Sequence, residues 1–200
     1  MGIIIGLTGG MASGKSLIAN YFGNLRCKII DCDKLSKDIT SQGGAGIASI
    51  LESFDRSVIG KDGSLDRRRM AEIVFSNKEK LKKLESILHP IIEKKVFQIA
   101  KTYWNTSPNS IVIVDAVVLF ESGLYKKLNK NIAVICKRDI RIKRAMERDS
   151  NSRASIELRM KNQSTDEEKS TLADYVIVNE GTKEEALNQA KKVYKDLLII

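Results

Sequence analysis

Residues Gly9-Gly10-Met11-Ala12-Ser13-Gly14-Lys15-Ser16 fit the spacing G-x-x-x-x-G-K-[ST]. Those residue types suit one task, the cradling of a polyphosphate. Glycines let the backbone curl until its N–H groups converge on an anion. A helix starting at Lys15 adds the partial positive charge of its N-terminus. The Lys15 ammonium has the reach for β- and γ-phosphates, and the Ser16 hydroxyl is suited to ligate Mg²⁺. The loop follows the β-branched run Ile3-Ile4-Ile5-Gly6-Leu7 and precedes a helical pattern over 15–22. In that context the spacing gains meaning. The bland alternative is a Gly-rich strand-to-helix turn that happens to carry Lys-Ser.

Carboxylates at strand ends are the second group. Asp31 and Asp33 flank Cys32 just after a short apolar run, Cys27-Lys28-Ile29-Ile30. Ligands of an open α/β sheet bind beyond the carboxyl ends of its strands. Asp33 is therefore placed to orient an acceptor hydroxyl, take its proton, or hold metal-bound water. Its competing reading is a helix N-cap before Lys34. Asp31 reads as a supporting or capping group. Asp115 ends the run Ile111-Val112-Ile113-Val114, a pattern that brings a carboxylate near Mg²⁺. Many strands end in Asp, so this signal is weak alone. Glu121 either lines the same cleft or is solvated.

A third group is basic. From Lys126 to Arg148, nine Lys or Arg stand against Asp139 and Glu147. Arg141, Arg144 and Arg148 are three and four residues apart, which puts them on one helix face. Arg159 and Gln163 are predicted to share a face of the next helix. Planar guanidinium forks match phosphate oxygens. Two basic helices joined by a loop read as a lid that excludes water during phosphoryl transfer. The alternative is a solvated arginine face paired with Glu147 and Asp149.

The elements that must position these groups follow from hydrophobic pattern. Apolar runs recur at 3–7, 27–30, 111–114, 132–136 and 175–178. They are continuous rather than alternating, as in strands buried on both faces, which predicts a doubly wound parallel α/β sheet. Between the second and third strands, 34–103 reads as a helical insertion. Met70, Ile73 and Val74 mark one helix, and Leu81, Leu84, Ile87 and Leu88 another. Pro90 is predicted to open a further helix over 91–100, with His89 extended. A last helix over 184–198 carries an apolar stripe from Ala186 to Leu197.

Composition bounds the rest. The 200 residues are 42% hydrophobic and 30% charged, with a net charge of +9, an ordinary globular balance with a taste for anionic partners. No run of about 20 apolar residues exists to cross a bilayer. The opening Met-Gly-Ile-Ile-Ile-Gly lacks a basic stretch and breaks into glycines, so it does not read as a signal peptide. Three cysteines with no C-x-x-C fit a reduced, cytoplasmic compartment. An N-K-x-D guanine-reading element is missing after the strands, which disfavours a GTPase switch. Nucleic-acid binding through the 126–148 stripe remains a rival, weakened by the lack of an aromatic platform. A membrane-surface role needs bulky apolar residues opposite the basic face, and 139–148 offers only Ile140, Ile142, Ala145 and Met146, which suit packing on a sheet as well.

The whole chain resembles the dephospho-CoA kinase family. The matching elements run in order: Gly6-Leu7-Thr8-Gly9-Gly10 into Ser13-Gly14-Lys15-Ser16, Asp31-Cys32-Asp33, Leu65-Asp66-Arg67, Val74-Phe75, Leu84-Glu85 and His89-Pro90. Leu119-Phe120-Glu121-Ser122-Gly123, Arg144, Arg148, Gln163 and Ala173-Asp174 through Asn179 complete the set. The resemblance implies a P-loop NTPase fold. Its parts would be a five-stranded parallel sheet flanked by helices, an inserted helical acceptor-binding subdomain and a helical lid. Boundaries on that reading are a core over 1–33, 104–138 and 172–200, an insertion over 34–103 and a lid over 139–171, all in one kinase domain.

The resemblance further implies transfer of the ATP γ-phosphate to the ribose 3′-hydroxyl of dephospho-CoA, with Mg²⁺. Asp33, Lys15 and Arg144 would be catalytic, Arg144 by stabilising transition-state charge. ATP would lie against Gly10, Met11, Ala12, Ser13, Gly14, Lys15, Ser16 and Leu17, with Arg144 and with Asn179 near the adenine. Thr8, Asp33, Arg67, His89, Leu119, Phe120 and Glu121 would serve the acceptor. Arg141, Arg148, Arg159 and Gln163 would belong to the lid, and Ser16 and Asp115 to the metal. Neither nucleic acid, membrane nor an obligate protein partner is implied. Four positions depart from the family pattern: Ala12 for a usual Gly, Leu17 for a frequent Thr, Val117 for a usual Pro, and Arg141 for a usual Gln. None removes a catalytic group, so an active enzyme is expected; a P-loop kinase for another hydroxyl or phosphate acceptor is the nearest alternative.

Overall fold

The five apolar runs become the five strands β1 (Ile3–Gly9), β2 (Lys28–Asp31), β3 (Ile111–Asp115), β4 (Lys130–Ile135) and β5 (Tyr175–Val178). The computed structural model describes residues 2–149, 152–160 and 163–199; the side chains of Asp149 and Arg159 lie outside that description. Its helices, in chain order, are α1 (Lys15–Asn24), α2 (Cys32–Ile39), α3 (Ile47–Ser53), α4 (Arg67–Phe75), α5 (Lys78–Thr106), α6 (Arg138–Asp149), α7 (Arg153–Met160), α8 (Asp166–Leu172) and α9 (Lys183–Leu197). Two compact units share the chain. One runs through Ile30 and resumes at Thr102; the other is Asp31–Lys101.

The first unit is built on the sheet, in the order β2-β3-β1-β4-β5. β1 pairs in parallel with β3 and β4, and β4 with β5. Ile5, Leu7, Ile113, Ile132, Val134 and Ile177 cluster with Ile18 and Phe22 of α1 and with Ala186, Ala190 and Leu197 of α9. Ile4, Val112, Val114 and Ala133, in the alternate positions, are buried as well. Burial on both faces is why β1, β3 and β4 read as unbroken apolar runs. The register sets Leu7 beside Asp115, so the end of β3 stands next to the start of the phosphate loop. β5 is an edge strand, and Gln189 of α9 closes part of that edge. Its amide accepts from the Val178 N–H (2.9 Å) and donates to the Val178 carbonyl (2.8 Å).

The second unit packs α3, α4 and the first half of α5 around Ile50, Val58, Leu65, Met70 and Val74. Asp31 caps α2 by accepting from the Lys34 N–H (3.0 Å), and Asp66 caps α4 through the Arg69 N–H (3.0 Å). Arg67 donates to the Ser36 carbonyl (3.1 Å) and the Thr40 hydroxyl (2.7 Å), tying α4 to α2. The expected helix start at Pro90 is corrected: α5 runs through it, and His89 is helical rather than extended. Leu84, Leu88, Ile92, Val96 and Ala100 recur every four residues across the proline. One apolar stripe in unbroken phase outweighs a single lost backbone bond. Burial lowers the His89 pKa, with Glu85 pulling the other way. No described helix is long and apolar enough to cross a membrane.

Pro90 is exposed, so its cost to α5 is recoverable. Pro90→Ala restores an N–H donor and should raise stability by about 1–3 kcal/mol, read as a higher urea midpoint. A lower midpoint would mean that the proline ring itself packs to advantage.

Candidate active site

The turn between β1 and α1 is a cage of backbone. The Ser13 N–H closes onto the Gly10 carbonyl (3.0 Å), and α1 starts at Lys15. Two residues take the left-handed conformation, Ala12 at φ 59° and Gly14 at φ 95°. Gly14 needs its glycine twice over, because a Cβ there would also strike the Asn179 amide nitrogen. Asn179 is buried just past β5, and its amide donates to the Ser13 carbonyl (2.8 Å). Its own N–H is held by the Ile135 carbonyl (2.9 Å). The end of β5 is thereby fastened to the loop.

Lys15 and Asp115 meet as an ion pair, their side chains only 13% and 12% exposed. Strand register explains the meeting, since Asp115 lies beside Leu7 and the Ala116 N–H bonds the Leu7 carbonyl (3.0 Å). Ser16 is exposed in the first turn of α1. Leu17, beside it, is half-buried, with its N–H on the Gly14 carbonyl (3.0 Å).

The basic helices meet the loop differently from their sequence reading. Arg141 is buried, not offered to solvent: Nε donates to the Met11 carbonyl (2.9 Å) and Nη1 to Asp166 Oδ1 (3.0 Å). Arg144 is spent on the Asn179 carbonyl (3.0 Å) and lies 3.5 Å from the Cys136 sulfur. Arg148 is exposed near the end of α6. Gln163 does not share a helix face with Arg159; it stands in a bend beyond α7 and accepts the Met11 N–H (3.0 Å). The Arg159 side chain is outside the described residues. Met11 and Ala12 pack against Ile142, Ala145 and Ile156, so α6 and α7 cover the outer face of the loop.

The residues assigned to an acceptor divide. Thr8 is buried, its hydroxyl donating to the Val117 carbonyl (3.1 Å). Leu119 and Phe120 are interior, Phe120 edge-on to Tyr125 at 5.1 Å. These three side chains build the wall behind the β3 exit rather than line its surface. Glu121 accepts from both the Ser164 N–H (3.0 Å) and hydroxyl (2.6 Å). Arg67, His89 and Asp33 belong to the second unit. There Asp31 takes the capping role, so Asp33, exposed in the first turn of α2, keeps a carboxylate not used as the cap.

Sequence reading missed Ser164, Asp166 and Lys169. Lys169 is fully buried, its ammonium on the Ser164 carbonyl, with Glu121, Asp166 and Glu168 as neighbouring charges. Burial lowers its pKa against the pull of those acids. The capping box Thr165-x-x-Glu168 was a readable signal for the start of α8. Nothing in the sequence marks Lys169 as interior.

The order of strands and the loop at the end of β1 place the chain among P-loop nucleotide-binding proteins. The family model for CoaE, dephospho-CoA kinase, matches residues 3–185. The dephospho-CoA kinase of Aquifex aeolicus is 38% identical over 193 residues, covering 96% of each chain. Among solved structures, TT1252 from Thermus thermophilus is 29% identical with a TM-score of 0.82, covering 98% of this chain and 97% of that one. The dephospho-CoA kinase of Campylobacter jejuni is 28% identical with a TM-score of 0.71, covering 100% and 98%. The chain belongs to the dephospho-CoA kinase family.

The Glu121 clasp has a pH signature. Partial burial raises the carboxyl pKa, but the Ser164 hydroxyl and N–H, its own N–H and Lys169 more than offset this and hold it below the ordinary 4.5. The unfolded chain then binds the proton more readily than the folded one. The clasp's stabilisation is complete above about pH 5 and fades as pH falls through the folded value. Glu121→Gln should therefore lose stability against the parent at pH 7, with a narrower gap at pH 4. A gap that widens on acidification would contradict the assignment.

Proposed function

We propose that the chain transfers the γ-phosphoryl group of ATP to the ribose 3′-hydroxyl of dephospho-CoA, giving CoA and ADP, the last step of CoA synthesis. The observation that carries this reading is the Lys15–Asp115 pair beneath a phosphate loop, in a chain of this family over 3–185. The loop N–H groups of Gly14, Lys15 and Ser16 and the α1 terminus supply fixed positive dipoles for the β-phosphate. Lys15 leaves Asp115 for the β- and γ-phosphate oxygens. The donor set suits a magnesium ion: Ser16 and Asp115 offer hard oxygens. Among the described residues no cluster of three or more His, Cys, Asp or Glu could hold a metal alone. When bound, such an ion offsets charge growing on the β- and γ-oxygens.

Asp33 orients the acceptor hydroxyl and accepts its proton late, because a loose transition state needs little base strength. Its release from capping supports that role. Arg144, held at the Asn179 carbonyl until nucleotide binds, stabilises the charge of the transferring phosphoryl group, and Asn179 lies near the adenine. The helices α6 and α7 serve as the lid, and the helical unit carrying Arg67 and His89 receives the acceptor. Three buried cysteines outside any disulfide support a reducing, cytoplasmic setting. This reading calls on no nucleic acid, membrane or obligate protein partner.

The test is ADP release with Mg²⁺-ATP across dephospho-CoA, AMP, uridine, shikimate and water, with the product weighed by mass spectrometry. Release with dephospho-CoA alone, matched by CoA, is the expected result. Release with another acceptor would keep the loop chemistry and overturn the substrate. In the same assay Asp33→Asn should lower kcat by about a hundredfold or more, with the KM for ATP within about threefold. Near-normal kcat would remove Asp33 from the reaction.

A further inference from the structure

The Met11 backbone is gripped at both ends by side chains from outside its loop. Gln163 accepts its N–H at 3.0 Å, and Arg141 Nε donates to its carbonyl at 2.9 Å. Arg141 is itself anchored, with Nη1 on Asp166 Oδ1 at 3.0 Å and a side chain only 8% exposed. Asp166 is fixed in turn by the Cys136 N–H on its other oxygen (3.3 Å). The guanidinium lies so close to Gly10 that any Cβ there would collide with it. The next residue after Met11, Ala12, sits at φ 59°, a left-handed conformation that a Cβ disfavours. Such a conformation persists only where the surroundings over-determine it.

The Met11 carbonyl and the Ala12 N–H belong to one planar peptide unit. A grip on the carbonyl therefore sets the direction of the N–H. A charge-assisted donor on that carbonyl also polarises the unit and strengthens the N–H as a donor. We infer that Arg141 is a positioning residue for the phosphate loop: anchored by Asp166, it holds the Met11–Ala12 peptide in the left-handed turn that Ala12 resists. This rests on the nucleotide reading of the loop. It assigns Arg141 a role through backbone, not through contact with a phosphate.

The inference predicts a specific dependence between two residues. Glycine takes the left-handed turn without steric cost, so the grip matters less in the variant A12G. The experiment compares the parent, R141Q, A12G and the double variant by steady-state kinetics, by direct ATP titration and by thermal midpoint. In the parent background, R141Q should raise the KM and Kd for ATP about tenfold, the scale of one lost charge-assisted bond. The acceptor KM should hold and kcat should stay within about threefold. In the A12G background the same substitution should cost about twofold or less. An equal penalty in both backgrounds, or a lowered midpoint with unchanged ATP affinity, overturns the proposal. Should R141Q fail to fold, D166N replaces it: a smaller rise in the ATP Kd that A12G relieves is expected, and a rise that A12G leaves untouched overturns the proposal. A parent protein that binds no ATP would instead sink the nucleotide reading, and the proposal with it.

Discussion

The constraint behind the first unit is that a phosphate loop can satisfy little of its own backbone. Beyond the Ser13 N–H on the Gly10 carbonyl, N–H groups kept for an anion cannot close the ladders that stabilise helices and sheets. The loop must be shaped from outside. Asn179 takes the Ser13 carbonyl, Gln163 the Met11 N–H and Arg141 the Met11 carbonyl. These three come from the end of β5, the bend after α7, and α6. The sheet order makes this possible, since β1 is central and β4 and β5 stand on the side from which all three approach. The partners of this short turn stand 130, 152 and 166 residues away in sequence, which ties its shape to the folding of the whole unit.

Charge is handled by the same economy of neighbours. Arg141 and Lys169 are buried cations, and burial of a charge is tolerated only where it is paired and hydrogen-bonded. Asp166 and Glu121 provide the pairing, and the segment 163–166 is where their networks meet. One edge of that segment holds the loop through Gln163; the other holds the β3 exit through Ser164. Lys15 and Asp115 follow the rule too. Each suits a different part of a nucleotide, and each neutralises the other while they are paired. Removing either alone would take an opposite charge from a largely buried neighbour, so substitutions at these two positions report on folding as well as turnover.

The fold was legible because burial on both faces forces β-branched residues into unbroken runs in β1, β3 and β4, while the edge strands β2 and β5, partly exposed, still carried short apolar runs. The loop was legible because its chemistry tolerates few residue types. Capping was half legible: an Asp-Cys-Asp stretch announces a helix start, but only backbone geometry decides that Asp31 caps and Asp33 does not. Pro90 misled because a local preference was weighed without the four-residue stripe that runs across it. Gln163 misled because helical spacing was extended past the point where α7 ends.

Arg141, Arg144 and Arg148 show where spacing stops informing. Intervals of three and four residues put all three on one side of α6. They do not give depth, and the three differ chiefly in depth: Arg141 buried under the loop, Arg144 half-buried at the Asn179 carbonyl, Arg148 exposed. Depth is decided by how α6 packs on the loop and on α7, a property of the packed unit and not of the helix. The same holds for Ala12. Its departure from a usual glycine looks like a loss when the loop is read alone. In the folded unit, an arginine from a helix packed on the loop closes on the adjoining peptide. A local misfit and a buried cation that each cost stability separately become, side by side, two halves of one stable turn.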